Sequence, residues 1–471
     1  MQMKTIHRVL AVALLAIFTR AAAAGEIRVH GAPAGEPPST NFTVTVGTVN
    51  VPVYVARIAS SDPVLRFKSV DEVATSGTYF EKAAFASVDF EGSVEVTVRC
   101  PETVMSAKLL PSSYGIVPVV SGNKVSFKLS APRLLTLEIN GDWVHSLHLF
   151  ANALETDVPR SDDPNVIFFG PGIHDIDELH VPSGKTVYIA DGAIVRGKPS
   201  SRRGPVVSLE GDNITVRGRG ILDGSLCPIH TQHLLSIHGT NINVDGIVLR
   251  DSSTWTVPVR RSHNVRIKNV KLFGHRANSD GIDICNSRDV EVADCFFRTL
   301  DDLVVVKTDK GQGSAENITV KNCVLWNEIA HALSIGAELR EPVSHVRFSD
   351  CDVIHDKGRE WTLRVFQCDS ALISNITFEN IRIEETRNLI SLWIGSYVWT
   401  RGPERGQIQD VLFKDIQATG DQPKIELKGF DAQHLVEDVK FKNVTVNGKA
   451  IESSDVKQNE CARNVTVSAG K

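Results

Sequence analysis

Nine short segments of one pattern recur along the later part of the chain, and they limit what it can fold into. They begin at Asn213-Ile-Thr-Val, Asn241-Ile-Asn-Val, Asn264-Val-Arg-Ile, Asp289-Val-Glu-Val and Asn317-Ile-Thr-Val, and continue with His345-Val-Arg-Phe, Asn375-Ile-Thr-Phe, Asp410-Val-Leu-Phe and Asp438-Val-Lys-Phe. Starts fall roughly 23 to 35 residues apart, the spacing of solenoid repeats. Each unit reads strand, tight turn, strand, with no helical period between. Such a unit cannot bury its apolar side alone and must stack on its neighbours. The expected fold is therefore all-β, a parallel β-helix over 161–471 with coils ~4.8 Å apart.

Equivalent positions in stacked coils form ladders. Cys295, Cys323 and Cys351 share one slot with Val270, Ile381, Ile416 and Val444. A slot that takes Val, Ile or Cys is a core slot, and free Cys behaves as a small buried hydrophobe. Buried thiols are expected there, with a disulfide between adjacent coils as the alternative. With no Cys-x-x-Cys or His-x-x-x-His spacing, no structural zinc is expected. The sequons at Asn213, Asn317, Asn375 and Asn443 follow from the repeat itself, which wants Asn in a turn and Thr on a strand.

Before the repeats, runs such as Phe42-Thr-Val-Thr-Val, Val94-Glu-Val-Thr-Val and Val125-Ser-Phe-Lys-Leu alternate apolar and polar residues. Period-two alternation broken by Gly, Pro and Asn predicts an antiparallel β-sandwich over 25–160, joined to the solenoid near Pro164. Its expected role is to brace or cap the solenoid; sugar binding is the alternative. Residues 1–24 read as a signal peptide. Lys4 and Arg8 precede the apolar run Val9 to Phe18, and small residues follow at 21–25. A secreted or periplasmic protein is expected, with no membrane partner after cleavage; an uncleaved anchor is the alternative. A net charge of -5 and no basic block argue against a nucleic-acid partner. No cofactor or metal is called for, and a monomer is expected.

The chemistry concentrates between Asn278 and Lys307. The strand after each turn begins near Trp255, Asp280, Asp301, His331 and Trp361 in successive coils. Asp280, the Asp301-Asp302 pair, His331 and Arg364 would then form one lateral patch. Each also has an ordinary structural reading. Aspartate often starts strands by bonding local backbone, and Lys307 or Arg364 could be an outer-face charge. The column as a whole is hard to explain by packing. Alternation would turn Asp283 away from Asp280, and both Asp301 and Asp302 can reach the patch only where the backbone is not yet pleated. Trp255, Trp326, Trp361 and Trp399 are candidates to stack on sugar rings, although core packing explains any one of them as well. Three crowded carboxylates raise at least one pKa, which supplies an acid beside an ionised base, the pair that glycoside cleavage needs.

Asn278-Ser279-Asp280-Gly281-Ile282-Asp283, Asp301-Asp302 and His331-Ala332-Leu333-Ser334-Ile335-Gly336 resemble the signature blocks of glycoside hydrolase family 28, the polygalacturonase and rhamnogalacturonase family of right-handed β-helices. The resemblance covers roughly 170–396. It implies inverting hydrolysis of an α-linked, usually galacturonate-containing polysaccharide. It further implies Asp301 as general acid, Asp280 and Asp302 as the pair that activates water, and His331 tuning the acid. Asn278, Lys307 and Arg364 are implied as substrate ligands. The family's Gly-His-Gly reads Ala330-His331-Ala332 here, and its Arg-Ile-Lys reads Arg364-Val365-Phe366. A uronate would therefore need another cation, Lys307 or Arg340, or the substrate is uncharged at that position. A sandwich ahead of the solenoid is similar to the dextranase and isopullulanase family, which makes a neutral α-glucan an alternative substrate. A calcium-dependent lyase or epimerase, and a non-catalytic glycan-binding fibre, are the rival classes on this scaffold.

Overall fold

A computed structural model describes residues 25–61, 80–200, 204–356 and 358–470. The stretch read as a signal peptide lies outside the described residues.

Between 27 and 153 two sheets face each other. One has six strands, among them Phe80–Phe90 and Asp142–Ala153; the other has five, among them Val94–Arg99 and Lys124–Leu129. Alternate residues of both, such as Val44, Val96, Val98, Phe127, Leu135 and Leu147, fill the space between. The sandwich is not wholly antiparallel as expected: Asp142–Ala153 runs parallel to Phe80–Phe90, from Leu147 opposite Ala84 to Ala153 opposite Phe90. Alternation reports which face of a strand is buried but not its direction, so this pairing left no trace in the pattern.

From Val166 to Ser468 a single sheet of 31 strands winds as a right-handed parallel β-helix. Its strands stack in three columns, and the repeats are its corners. Asn213, Asn241, Asn264, Asp289, Asn317, His345, Asn375, Asp410 and Asp438 all have φ between 54° and 58°. Asn and Asp tolerate this left-handed conformation because their short polar side chains bond locally. The corners are also tied from coil to coil: Asn264 Nδ2 donates to Asn241 Oδ1 at 2.6 Å, and Asn241 Nδ2 to Asn213 Oδ1 at 3.0 Å. The apolar residue three places on points inward, and Phe348, Phe378, Phe413 and Phe441 stack with centroids 4.9, 4.9 and 5.1 Å apart. The cysteine slot is also as expected, with Cys295, Cys323 and Cys351 free and fully enclosed.

The sandwich lies against one column. Ile194, Ile221, Val248, Phe273, Phe296 and Val324 project outward from it and pack on Tyr54, Phe85, Leu134 and Phe150. Arg298 is buried there, donating to Glu328 Oε1 at 2.8 Å and Ser146 Oγ at 3.1 Å. Another column, which includes Val257–Arg260, Ile282–Cys285, Val304–Thr308, Leu333–Leu339 and Leu363–Gln367, carries a cleft instead.

Candidate active site

The cleft forms where the chain turns the corner into this column, just before each strand begins. Pairing of Val257 with Ile282, Ile282 with Val304, Val304 with Leu333 and Leu333 with Leu363 fixes the register. Two residues upstream of these, Trp255, Asp280, Asp302, His331 and Trp361 are aligned coil on coil. The Gly281 amide donates to the Asp302 carbonyl at 2.8 Å, and the Leu303 amide to the His331 carbonyl at 2.9 Å. Gly281 is required between Asp280 and its strand, since a Cβ there would lie 2.3 Å from the Leu303 carbonyl oxygen.

Asp301 sits one residue ahead of that line, yet both members of the acidic pair line the cleft. The strand starts only at Val304, so alternation has not begun at either residue. One oxygen from each of Asp280, Asp301 and Asp302 lies within 4.8 Å of the other two. Asp283 departs from expectation. It is fully buried on the same side as Asp280, and the Lys307 ammonium donates to Asp283 Oδ1 at 2.8 Å and Asp280 Oδ2 at 3.2 Å. Asp280 precedes its strand, so counting alternate residues from it gave the wrong face.

The charges drive neighbouring carboxyls apart. Burial and the adjacent Asp302 charge push Asp301 up to about 7. Burial acts on Asp302 too, but His331, Arg364 and Lys307 overcome it and hold that carboxyl well below the usual range. Burial and Asp283 push Asp280 up, and Asp283 itself is raised to about 6, chiefly by burial. His331 Nδ1 lies 2.5 Å from Asp302 Oδ1, and burial and Arg364 lower its pKa. With a proton on Nδ1, His331 donates to Asp302 Oδ1, the first of the contacts that hold that carboxyl down. Buried Nε2 of His331 and Oδ1 of Asp280 have no protein partner, an arrangement suited to a water or a substrate hydroxyl. The same three carboxylates could approach a divalent cation, but Lys307 already supplies positive charge at Asp280.

Arg364 is placed where expected, donating to Ser334 Oγ and the Gly336 carbonyl, both at 3.1 Å, with Asp302 Oδ2 4.0 Å away. Asn278 and Lys307 line the cleft, as do Trp255, Trp361 and Trp399. Trp326 does not: it is fully buried under the sandwich, with the Arg298 guanidinium 3.6 Å from its ring centroid. Arg340 is also excluded as a substitute cation, because Asp309, Asp369 and the Trp399 carbonyl occupy it outside the cleft. Sequence reasoning missed Glu338, Trp393 and Tyr397, which complete the walls. Register would have found Trp393, since it is paired with Phe366 on the next coil. The cavity holds about 570 Å³.

A three-column solenoid with a carboxylate trio, an imidazole and a guanidinium on one face has the form of a polysaccharide-processing β-helix. The chain belongs to glycosyl hydrolases family 28, whose family model matches residues 206–469. It is 30% identical over 189 residues to the exopolygalacturonase of clone GBGE184 from Arabidopsis thaliana, covering 38% of this chain and 42% of that relative. It is 31% identical over 189 residues to a polygalacturonase of Juniperus ashei, covering 38% of this chain and 36% of that one. The matched part thus spans about two-fifths of these curated relatives. Its fold is shared with a hyperthermoactive exopolygalacturonase of Thermotoga maritima (TM-score 0.54, 17% identity, 64% of this chain and 84% of that one). It is likewise shared with Dex49A of Penicillium minioluteum (TM-score 0.57, 12% identity, 93% and 96%), a likeness that extends through the sandwich.

Proposed function

We propose that the protein hydrolyses O-glycosidic bonds of a pectic polysaccharide. The observation that carries this is a pair of adjacent carboxyls in unlike surroundings: Asp302 is held against His331 and Arg364, and Asp301 against the Asp302 carboxylate. Asp301, raised to about 7, is the general acid that protonates the leaving oxygen. Asp302, held ionised, is the base that takes a proton from water. Asp280 contributes an unpartnered oxygen to hold that water. His331 and Arg364 keep Asp302 ionised, and Asn278, Lys307 and Arg364 contact the sugar. Inversion at the anomeric carbon comes from the family, whereas an oxygen spacing within 4.8 Å is shorter than the ~6.5–9.5 Å of typical inverters. The anomer of the first-formed product, read by proton NMR, decides between them.

The sandwich, within 25–160, braces the solenoid in this reading and leaves the cleft face open. The substrate is a polymer met outside the cell, in keeping with the signal-like first residues; among the described residues no helix is long and apolar enough to cross a membrane. The test is release of reducing ends from homogalacturonan, rhamnogalacturonan and dextran, with absorbance of unsaturated product followed in parallel. Reducing ends without that absorbance support hydrolysis. Unsaturated product lost on chelation would replace this reading with a lyase, and no release from any polymer would remove it.

A further inference from the structure

Lys271 is a buried amine that the chemistry of the cleft does not use. It begins the strand Lys271–Phe273, under the sandwich. Its register neighbours along the column are Ile221, Val248, Phe296 and Val324, an apolar ladder that packs on the sandwich. An ammonium in such a slot loses its hydration, and Lys271 is fully enclosed. Burial, helped by the Arg219 charge, pushes the amine down to about 7, so a large share of it is neutral and nucleophilic at neutral pH.

The amine faces a carboxamide. Lys271 Nζ donates to Asn152 Oδ1 at 2.8 Å. With a C=O bond of about 1.2 Å, the amide carbon is then no more than about 4 Å from that nitrogen. Hydrogen bonds fix which way round the amide sits. Its oxygen accepts from Lys271 and, at 3.3 Å, from Asn269 Nδ2. Its nitrogen donates to Asp89 Oδ1 and Ser87 Oγ, both at 3.1 Å, and to the Phe150 carbonyl at 3.3 Å. Asn152 is 2% exposed, and the Phe150 ring centroid lies 5.8 Å from the Lys271 nitrogen. Asp89 stands directly opposite Asn152 across the parallel strand pair of the sandwich. Arg219 Nε holds both oxygens of that carboxylate, at 2.9 and 3.0 Å.

We propose that Lys271 and Asn152 become joined by an intramolecular isopeptide bond, which fastens the sandwich covalently to the solenoid. The Lys271 nitrogen attacks Asn152 Cγ, and the carbonyl electron pair moves onto Oδ1, where Asn269 donates. Asp89 takes a proton from the attacking nitrogen and passes it to Nδ2. The Cγ–Nδ2 bond then breaks and ammonia leaves. One amine and one primary amide give one secondary amide and one ammonia; Asp89 ends as it began, and no oxidant or co-reactant is needed. The docked fold itself supplies the proximity that the reaction requires. The bond links residues 119 apart in the chain, and it does not depend on what the cleft hydrolyses.

The test is peptide mapping by mass spectrometry on the full chain, folded, held at neutral pH until its mass is constant, then denatured, reduced and digested with trypsin. The expected product is a branched peptide carrying both Asn152 and Lys271, about 17 Da lighter than its two parent peptides together and uncut after Lys271. Unlinked peptides alone, with trypsin cutting after Lys271, would overturn the proposal. A loss of the same mass on a linear peptide, the mark of asparagine cyclising on its own backbone, would overturn it equally. Lys271→Met should abolish the branched peptide. Asp89→Ala, which leaves amine and amide in place, should slow its appearance by on the order of 10²-fold. An unchanged rate in Asp89→Ala would overturn the part given to Asp89. The wild-type map decides the bond even if either variant fails to fold.

Discussion

Two columns of one solenoid bury charge, and they handle it differently. Under the sandwich, Arg298 and Glu328 are both wholly enclosed and bonded to each other, and Arg298 also reaches Ser146 and the ring of His148. Lys271, likewise buried, is pushed down to about 7, chiefly by burial, and donates to Asn152 Oδ1 at 2.8 Å and the Gly246 carbonyl at 3.2 Å. Those charges fasten two layers together. In the cleft most of the charges are also buried, and Lys307 and Arg364 face more carboxyls than they can neutralise. Carboxyl is set beside carboxyl, with polar atoms left for something other than protein. Burial of charge is thus common to both faces; what marks the cleft as chemical is like charges held close with their protonation states driven apart.

That contrast can be broken by substitution on either face. In the cleft, Asp302→Asn keeps the shape and removes the carboxylate proposed as the base. Reducing-end release should fall by roughly 10²- to 10⁴-fold while far-UV circular dichroism shows the variant folded. Beneath the sandwich the reverse is expected. Arg298→Met removes the guanidinium that faces buried Glu328, which should cost about 3–5 kcal/mol in denaturant unfolding while kcat of the folded protein stays near wild type. If Arg298→Met abolished activity at full stability, the two faces would not be separable in this way. His331→Ala gives a smaller, pH-resolved effect. His331 helps hold the Asp302 carboxyl down, so its loss raises that pKa, and the acid limb of the kcat/KM profile should move to higher pH. An unmoved limb would mean that His331 does not control the base. The smallest effect belongs to the thiol ladder: Cys323→Val, close in volume and copying Val270 and Val444 in the same slot, should change stability by less than about 1.5 kcal/mol and leave activity alone.

The solenoid was legible because its period lies in the local chain. Every corner needs a residue that accepts positive φ, and nearly all are Asn or Asp, so the repeat is written in one residue class. Counting along those repeats lined up Asp280, Asp301 and His331, and the structure moves that line by one residue, from Asp301 to Asp302. Asp283 was misplaced because strand alternation was counted from a residue that precedes the strand. Trp326 misled for a different reason. It projects outward as the cleft residues do, and only the sandwich, which no local pattern could dock onto that column, makes it part of a core. Of the aromatic wall, Trp393 was within reach of the register through its pairing with Phe366, whereas Tyr397 lies in a long turn, from 395 to 406, that carries no repeat signal.

The central claim is that adjacent Asp301 and Asp302 hold opposite protonation states at neutral pH, one as acid and one as base. The pH dependence of kcat/KM on whichever polymer is cleaved tests it most directly. Asp301 must be protonated, so activity should fall as pH rises through about 7. Asp302 must be ionised, and since its carboxyl is held down, activity should persist to well below pH 4 while the fold survives. A profile that rises steadily from pH 5 to pH 8 would contradict this assignment of acid and base.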